Sequence, residues 1–486
     1  MDLLKSSVQG IKWISVSRIG RQVIQFVTII IIANLVSPKD FGLMASAMIF
    51  INFINSFRDF GIGQAIIQNQ NYTINFYSSL FWFSLLLGLF FTLLIILGSG
   101  FIADILVQTK SESIVLSKIL KVLSIGFFLT SIVSIQLATL EKMFHFSIIA
   151  PSELISSFSA GVISVVLAFN GYGVWSLVFL SIVDGFVMFI LLAIFSPEKP
   201  RFVMHVSHIK EVFNFSVNLL GFNFVNYLAR NFDYFLISKF LGSTALGYYS
   251  LAYRIMFYPI ENITNVLSRV LYPVYARIQE DNAKFKNIYK KVALIISAIT
   301  FPLVVGLMLL SNEFVDIFFG EEWKPMIPLI LILSPIALLQ SLSTTTGSIY
   351  KAKARTDLMF RWGLINSTVV IIAFIIGINF GVIGVAASYL IANLLLIYFW
   401  LNIAFKLIDL QVAEFVLALK SVIIPIGIMI LMLLVSRLFF DQILSTYINF
   451  ALSILVGASV YLFTIYHFNK GEISYYKELL FKKETD

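Results

Sequence analysis

Read for hydrophobic and polar positions alone, the chain is a succession of continuous apolar runs of about twenty residues, each closed by a short polar interruption. A run of that length, wound as a helix, matches the hydrocarbon thickness of a bilayer. About fourteen such spans can be placed: 15–36, 41–57, 76–97, 119–140, 146–169, 174–195, 212–241, 245–262, 292–310, 326–350, 358–378, 382–405, 415–438 and 444–468. Between them stand Ser37-Pro38-Lys39, Asn170-Gly171-Tyr172-Gly173 and Ser196-Pro197-Glu198-Lys199-Pro200, residue types that end helices and accept turn geometry. The pattern predicts an all-α polytopic membrane protein. It excludes a β-barrel, whose strands read as alternating segments of about ten residues.

Composition agrees. Of 486 residues, 59% are hydrophobic and 12% charged, where soluble domains carry roughly 25% charged residues. The net charge of +8 is placed by location rather than by a nucleic-acid partner. With the N-terminus inside, Lys199, Arg201, Lys210, Arg269, Arg277, Lys284, Lys286, Lys290, Lys291, Lys351, Lys353 and Arg355 fall in cytoplasmic segments. The loop after the ninth span holds Glu313, Asp316, Glu321 and Glu322 against Lys324. That asymmetry is the positive-inside pattern, with both termini cytoplasmic. The first span carries Arg18 and Arg21 and lacks a small-residue cleavage site, so it reads as a retained span rather than a cleaved signal. There is no cysteine, which removes disulfides and thiolate chemistry, and four scattered histidines show no ligand spacing.

A shift of 205 positions lays the first two spans on the seventh and eighth. Phe41-Gly42 falls on Leu246-Gly247 and Ser37-Pro38 on Gly242-Ser243. Inside the spans, Arg18 falls on Asn223, Arg21 on Asn226, Gln25 on Arg230 and Thr28 on Asp233. These positions share one helix face. Both copies start inside, so the repeat is parallel and divides the chain into six-span lobes at 1–200 and 201–406, with two extra spans and a tail at 407–486. The basic, Pro-punctuated stretch 201–210 reads as the linker between them.

A polar stripe within the bilayer faces a partner helix or an aqueous cavity rather than acyl chains. Asparagines alone serve equally as interhelical glue. Arg18 and Arg21, two like charges three residues apart, ask for a compensating anion or water, although Arg18 is close enough to the inner end to snorkel. Arg230 and Asp233 lie on one face and can pair; a private salt bridge and a gating or coupling role both fit. Arg254 sits midway along the eighth span beside Tyr248, Tyr249, Tyr253 and Tyr258, rings that suit a membrane interface or sugar stacking. Asp184 and Glu261 are further candidates for proton or cation coupling.

At these residues the sequence resembles a known group. The run NFDYFLISKFLGSTALGYYSLAYRI is similar to the signature of polysaccharide flippases of the multidrug/oligosaccharidyl-lipid/polysaccharide (MOP) superfamily, near the colanic-acid-exporter branch of Wzx proteins. FRDFGIGQAIIQ, NVLSRVLYPVYARIQED, FFGEEWKPMIPLILIL and GVIGVAASYLIANLLLIYFW follow in the expected order. The resemblance implies two six-helix lobes around a central cavity plus two C-terminal helices, in a bacterial plasma membrane. It implies alternating-access transfer of an undecaprenyl-pyrophosphate-linked glycan from the cytoplasmic to the periplasmic leaflet, for O-antigen, capsule or exopolysaccharide. The expected partners are that substrate, membrane lipid and the polymerase and export machinery around a monomer. No cofactor is expected beyond a coupling H+ or Na+.

Arg18, Arg21 and Arg254 fit the pyrophosphate ligands of related flippases. Guanidinium groups bind phosphate bidentately and stay charged when partly desolvated. Asn52, Asn55, Asn223, Asn226, Tyr249 and Tyr253 supply amides, hydroxyls and ring faces for the glycan. Arg230, Asp233, Asp184 and Glu261 are left for gating or ion coupling. A multidrug exporter of the MATE type shares the architecture, but needs cavity carboxylates to hold a cation, against the positive balance of Arg18, Arg21 and Arg254. A membrane enzyme of polysaccharide assembly needs clustered acid–base residues in a large loop, which this chain lacks. Asp59-Phe60-Gly61 spells a kinase tripeptide without the accompanying loops.

Overall fold

A computed structural model describes the chain apart from Met1, 59–61, 69–72, 211–226, 228–229, 441–444 and 469–486; for some helical residues, 2–16 among them, the backbone alone is described. The chain forms two compact units, Met1–Ser250 and Leu251–Asp486. Among the described residues, nine helical segments are long and apolar enough to cross a membrane. One of them, Thr356–Lys406, has 51 residues, about twice what one crossing needs. It folds back at Gly381, whose φ of +73° ends one helix and starts another. Large apolar side chains such as Leu97, Phe101, Leu438 and Phe463 are 73–86% exposed, an arrangement stable only against lipid. The chain is a multi-pass helical membrane protein.

The first unit contains α1 (Asp2–Ala33), α2 (Pro38–Arg58), the short α3 (Ile62–Gln68), α4 (Ile74–Leu106), α5 (Lys110–Lys142), α6 (Phe146–Phe169) and α7 (Val174–Phe195). The last two coincide with the predicted spans. Two helix starts are capped by hydroxyls: Thr73 Oγ1 accepts from Phe76 N at 3.2 Å and Ser37 Oγ from Asp40 N at 3.3 Å. α5 packs on α2, α4 and α7, while α1 packs on α6, which packs on α7. The stretch 201–210 straps onto α4: Arg201 N donates to Ser78 Oγ at 2.9 Å, and Trp82 stacks on Phe202.

The predicted seventh span is described only near its end, as α8 (Phe232–Leu236) and a π-turn (Ile237–Leu241). Gly242, at φ +87°, turns the chain into α9 (Ser243–Arg277). Here the repeat becomes physical. α2 starts at Pro38 and α9 at Ser243, its counterpart at the 205-residue shift, and the two helices cross with backbones touching. A Cβ on Gly42 would lie 1.6 Å from the Ser243 carbonyl oxygen, and one on Gly247 would lie 1.9 Å from that of Pro38. The contact is reciprocal, each glycine meeting the residue equivalent to its neighbour's helix start.

The second unit continues through α10 (Asn282–Leu309), α11 (Ser311–Phe318), a 3₁₀ turn (Glu321–Met326), α12 (Ile327–Ser343), α13 (Thr346–Ala352), α14 (Thr356–Gly377), α15 (Gly381–Lys406), α16 (Val412–Ala418), α17 (Lys420–Phe440) and α18 (Thr446–Phe468). Two expectations change. The predicted tenth span breaks between α12 and α13, where Ser343, Thr344 and Thr346 hydrogen-bond to carbonyls three residues back and compete with the helix ladder. The basic segment after the eighth span, read as a loop, is helical on both sides of a cap at Asp281, which accepts from Lys284 N at 2.9 Å. Tyr275, Phe285, Tyr289, Phe405 and Phe415 form a buried aromatic core there.

Candidate functional site

α1 carries a polar face that includes Ser17, Arg18 and Arg21. Ser17 is buried, and Arg18 and Arg21 are half-buried on the same side of the helix. α1 approaches α6 closely enough that a Cβ on Gly161 would meet Thr28 Oγ1 at 2.6 Å. The same packing brings Glu153, about two turns before Gly161 on α6, to the arginine. Arg21 donates to Asp184 Oδ2 of α7 at 2.6 Å and lies 4.0 Å from Glu153 Oε1. Each carboxylate is held by a hydroxyl as well: Ser17 Oγ donates to Glu153 Oε2 at 2.7 Å, and Ser156 Oγ to Asp184 Oδ1 at 2.9 Å.

Side-chain exposures of 33%, 23% and 25% for Arg21, Glu153 and Asp184 leave the cluster open on one side. Arginine within a bilayer is costly without a counter-charge, and here two carboxylates from neighbouring helices supply it. The compensating anion that the sequence asked for is, at Arg21, a pair of carboxylates of this chain. Glu153, Ser17 and Ser156 were missed. Glu153 is an ionisable residue inside a predicted span, the same signal that singled out Asp184.

A second polar locus closes the first unit. Tyr249 is fully buried and its hydroxyl donates to Asp233 Oδ2 at 2.9 Å, with Asp233 itself buried. Arg230 is exposed, and no ion pair joins it to Asp233 among the described residues. The expected Arg230–Asp233 pair is replaced by a Tyr249–Asp233 bond, because the α8 turn directs the carboxylate inward toward α9. Tyr249 thereby serves Asp233 and presents no free hydroxyl to a glycan. Nearby, Ser46 Oγ and Ser238 Oγ share a bond at 2.6 Å, and Tyr227 donates to the Ile49 carbonyl at 2.6 Å. Lys239 donates to the Asp104 carbonyl at 2.6 Å, at the end of α4.

The remaining candidates are dispersed. Asn52 is exposed, while Asn55 is half-buried with its side-chain oxygen lacking a hydrogen-bond partner. Tyr253 stacks on Phe257 with ring centroids 4.1 Å apart, and Arg254 beside it is exposed. Asn223 and Asn226 lie outside the described residues, as does the side chain of Glu261.

Comparison with known proteins places this arrangement in context. The family described as "Polysaccharide biosynthesis protein" matches residues 31–328. The chain is 28% identical over 414 residues to the lipopolysaccharide biosynthesis protein WzxC of Escherichia coli, covering 82% of this chain and 81% of that protein. It is 28% identical over 367 residues to the teichuronic acid biosynthesis protein TuaB of Bacillus subtilis, covering 74% of each. Among solved structures, the lipid II flippase MurJ in an inward closed conformation superposes with a TM-score of 0.73 at 17% identity, covering 94% of this chain and 99% of that one. That likeness shows the fold. With the family match spanning more than half its length and the apolar helices and the fold in agreement, the chain belongs to the polysaccharide biosynthesis protein family.

Proposed function

We propose that this protein is a flippase for a lipid-linked oligosaccharide, carrying an undecaprenyl-pyrophosphate-linked glycan from the cytoplasmic to the outer leaflet of a bacterial plasma membrane by alternating access. The observation that carries the reading is the cationic face of α1: Arg21, flanked by Arg18, is poised within a membrane helix yet accessible on one side. A pyrophosphate is multiply anionic and cannot cross hydrocarbon unaided, and planar guanidinium groups are the donors that match it. The relatives whose names tie them to lipopolysaccharide and teichuronic acid biosynthesis support a glycan cargo.

In this reading Arg18, Arg21 and Arg254 are phosphate ligands, and Asn52, Asn55, Asn223, Asn226 and Tyr253 contact the glycan. Asp184, Asp233 and Glu261 respond to a coupling ion, H+ or Na+. Both termini are cytoplasmic, the six-helix lobes are 1–200 and 201–406, and the protein transports rather than catalyses.

The test replaces Arg21 and Arg254 by Ala and by Lys, verifies membrane insertion, and measures surface polysaccharide and cytoplasmic-leaflet precursor. Loss of surface polymer with precursor accumulation is expected for the Ala variants, with partial rescue by Lys. Normal export in both Ala variants refutes the phosphate role. One observation favours a second reading: Glu153 and Asp184 are the kind of paired carboxylates a cation exporter requires. Movement of cationic dyes under a sodium gradient, with no transfer of lipid-linked sugar, would establish that alternative.

A further inference from the structure

A phosphate that engages Arg21 must share its guanidinium with two carboxylates already set against it. One terminal nitrogen is committed to Asp184 Oδ2 at 2.6 Å and the other faces Glu153 Oε1 at 4.0 Å. A bidentate phosphate contact draws on the same set of five N–H donors, and its negative charge is opposed by both carboxylates. We infer that Asp184 and Glu153 are built-in competitors for Arg21, which exchanges its carboxylate partners for the pyrophosphate on loading and returns to them on release. The inference rests on the reading of Arg21 as a phosphate ligand.

Both bonds in the exchange are charge-assisted and of similar strength, so loading trades one for the other instead of adding a new one. The carrier binds its cargo without holding it irreversibly, and Arg21 is never left as a bare cation in the membrane. The carboxylates are prepared for the vacancy. When Arg21 leaves, Glu153 keeps its bond from Ser17 and Asp184 its bond from Ser156, so neither is stranded without a donor. Among the described residues, the charged groups at this junction are Arg18 and Arg21 from α1, Glu153 from α6 and Asp184 from α7. Asp184 and Glu153 are positioning residues, acting on the cargo through Arg21.

The experiment measures binding of geranyl pyrophosphate to the purified full-length protein by calorimetry, at fixed pH and ionic strength, for wild type, Asp184→Asn, Glu153→Gln, Arg21→Ala and the Arg21→Ala/Asp184→Asn double variant. Removing the competing charge is expected to tighten binding about tenfold for Asp184→Asn. A smaller gain is expected for Glu153→Gln, whose carboxylate lies farther from the guanidinium. Arg21→Ala weakens binding, and in that background Asp184→Asn brings no gain. In cells Asp184→Asn lowers export despite tighter binding, a split between affinity and turnover that a merely structural residue would not produce.

Unchanged or weaker binding in Asp184→Asn, with Arg21→Ala still impaired, overturns the exchange and leaves the phosphate reading standing. Wild-type binding in Arg21→Ala overturns both. Should Asp184→Asn resist purification, Glu153→Gln carries the test, and unchanged or weaker binding there overturns the exchange.

Discussion

The crossing of α2 and α9 at Gly42 and Gly247 invites a single-methyl perturbation, Gly42→Ala. In an open helix position that change would stabilise by about 1 kcal/mol through helix propensity. At this crossing the added carbon would sit 1.6 Å from the Ser243 carbonyl oxygen, 2.5 Å from its carbonyl carbon and 3.0 Å from Gly247 N. All three are backbone atoms of a helix and cannot rotate aside, so relief requires the helices to part by roughly 1.5 Å, forfeiting much of their mutual dispersion contact. Overpacking of this severity costs about 1–3 kcal/mol or more, exceeding the propensity gain. The net sign is destabilisation of the crossed arrangement, with its population falling on the order of tenfold.

The native absence of cysteine supplies a clean background for the assay. Ser46 and Ser238, whose hydroxyl oxygens are 2.6 Å apart beside the crossing, are replaced by a cysteine pair, and copper-phenanthroline cross-linking is followed in membranes. Cross-linking is expected to be efficient in the parent and markedly slower with Gly42→Ala. Gly247→Ala should act alike, and the double alanine variant by less than the sum, because both methyls burden one contact. Unchanged cross-linking rate and thermal midpoint in Gly42→Ala would refute the reasoning.

Two further predictions concern the second unit. Arg437 of α17 donates to Glu313 Oε2 at 2.6 Å, with both side chains largely buried. Glu313→Gln, which strands the arginine, is expected to cost about 3 kcal/mol in detergent stability, and the double change Glu313→Gln/Arg437→Gln to recover part of it; equal midpoints for wild type and Glu313→Gln would contradict this. Glu414 accepts from Lys290 at 2.6 Å and lies 3.6 Å from Lys286 Nζ. The Lys290 hydrogen bond, with the charges of both lysines, holds its carboxyl below the ordinary value. A folded-state value that is depressed gives stability present above the unfolded pKa and lost as pH falls through the folded one. The small difference in melting temperature between wild type and Glu414→Gln should therefore be constant near neutrality and vanish in acid, and a difference that grew on acidification would be the wrong sign.

Much of the fold was written in one dimension. Bilayer thickness sets span length, so continuous apolar runs in the sequence reproduced α6 and α7 to the residue. The repeat was legible because it depends on local features: a turn, a helix start and a glycine recurring at one spacing. Even the reciprocal glycine crossing was implicit in the pairing of Gly42 with Gly247. Local competition was harder to see. The serines and threonines of 341–346 break a helix that hydropathy alone would run through, and capping at Asp281 turns an apparent loop into two helix ends.

What the sequence determined by itself was which residues are charged, that the chain is a multi-pass helical membrane protein, and that charge inside a span demands compensation. What it could not determine was who compensates whom. Three residues apart in sequence, Arg230 and Asp233 are separated by a helix break at Asn231, and Asp233 turns to Tyr249, 16 residues away, while Arg21 finds Asp184 at a separation of 163 residues and Glu153 between them in the chain. Within a bilayer the energy of an ionisable group depends on its nearest counter-charge in space. Only the packing of α1 against α6 and of α6 against α7 brings those counter-charges within reach.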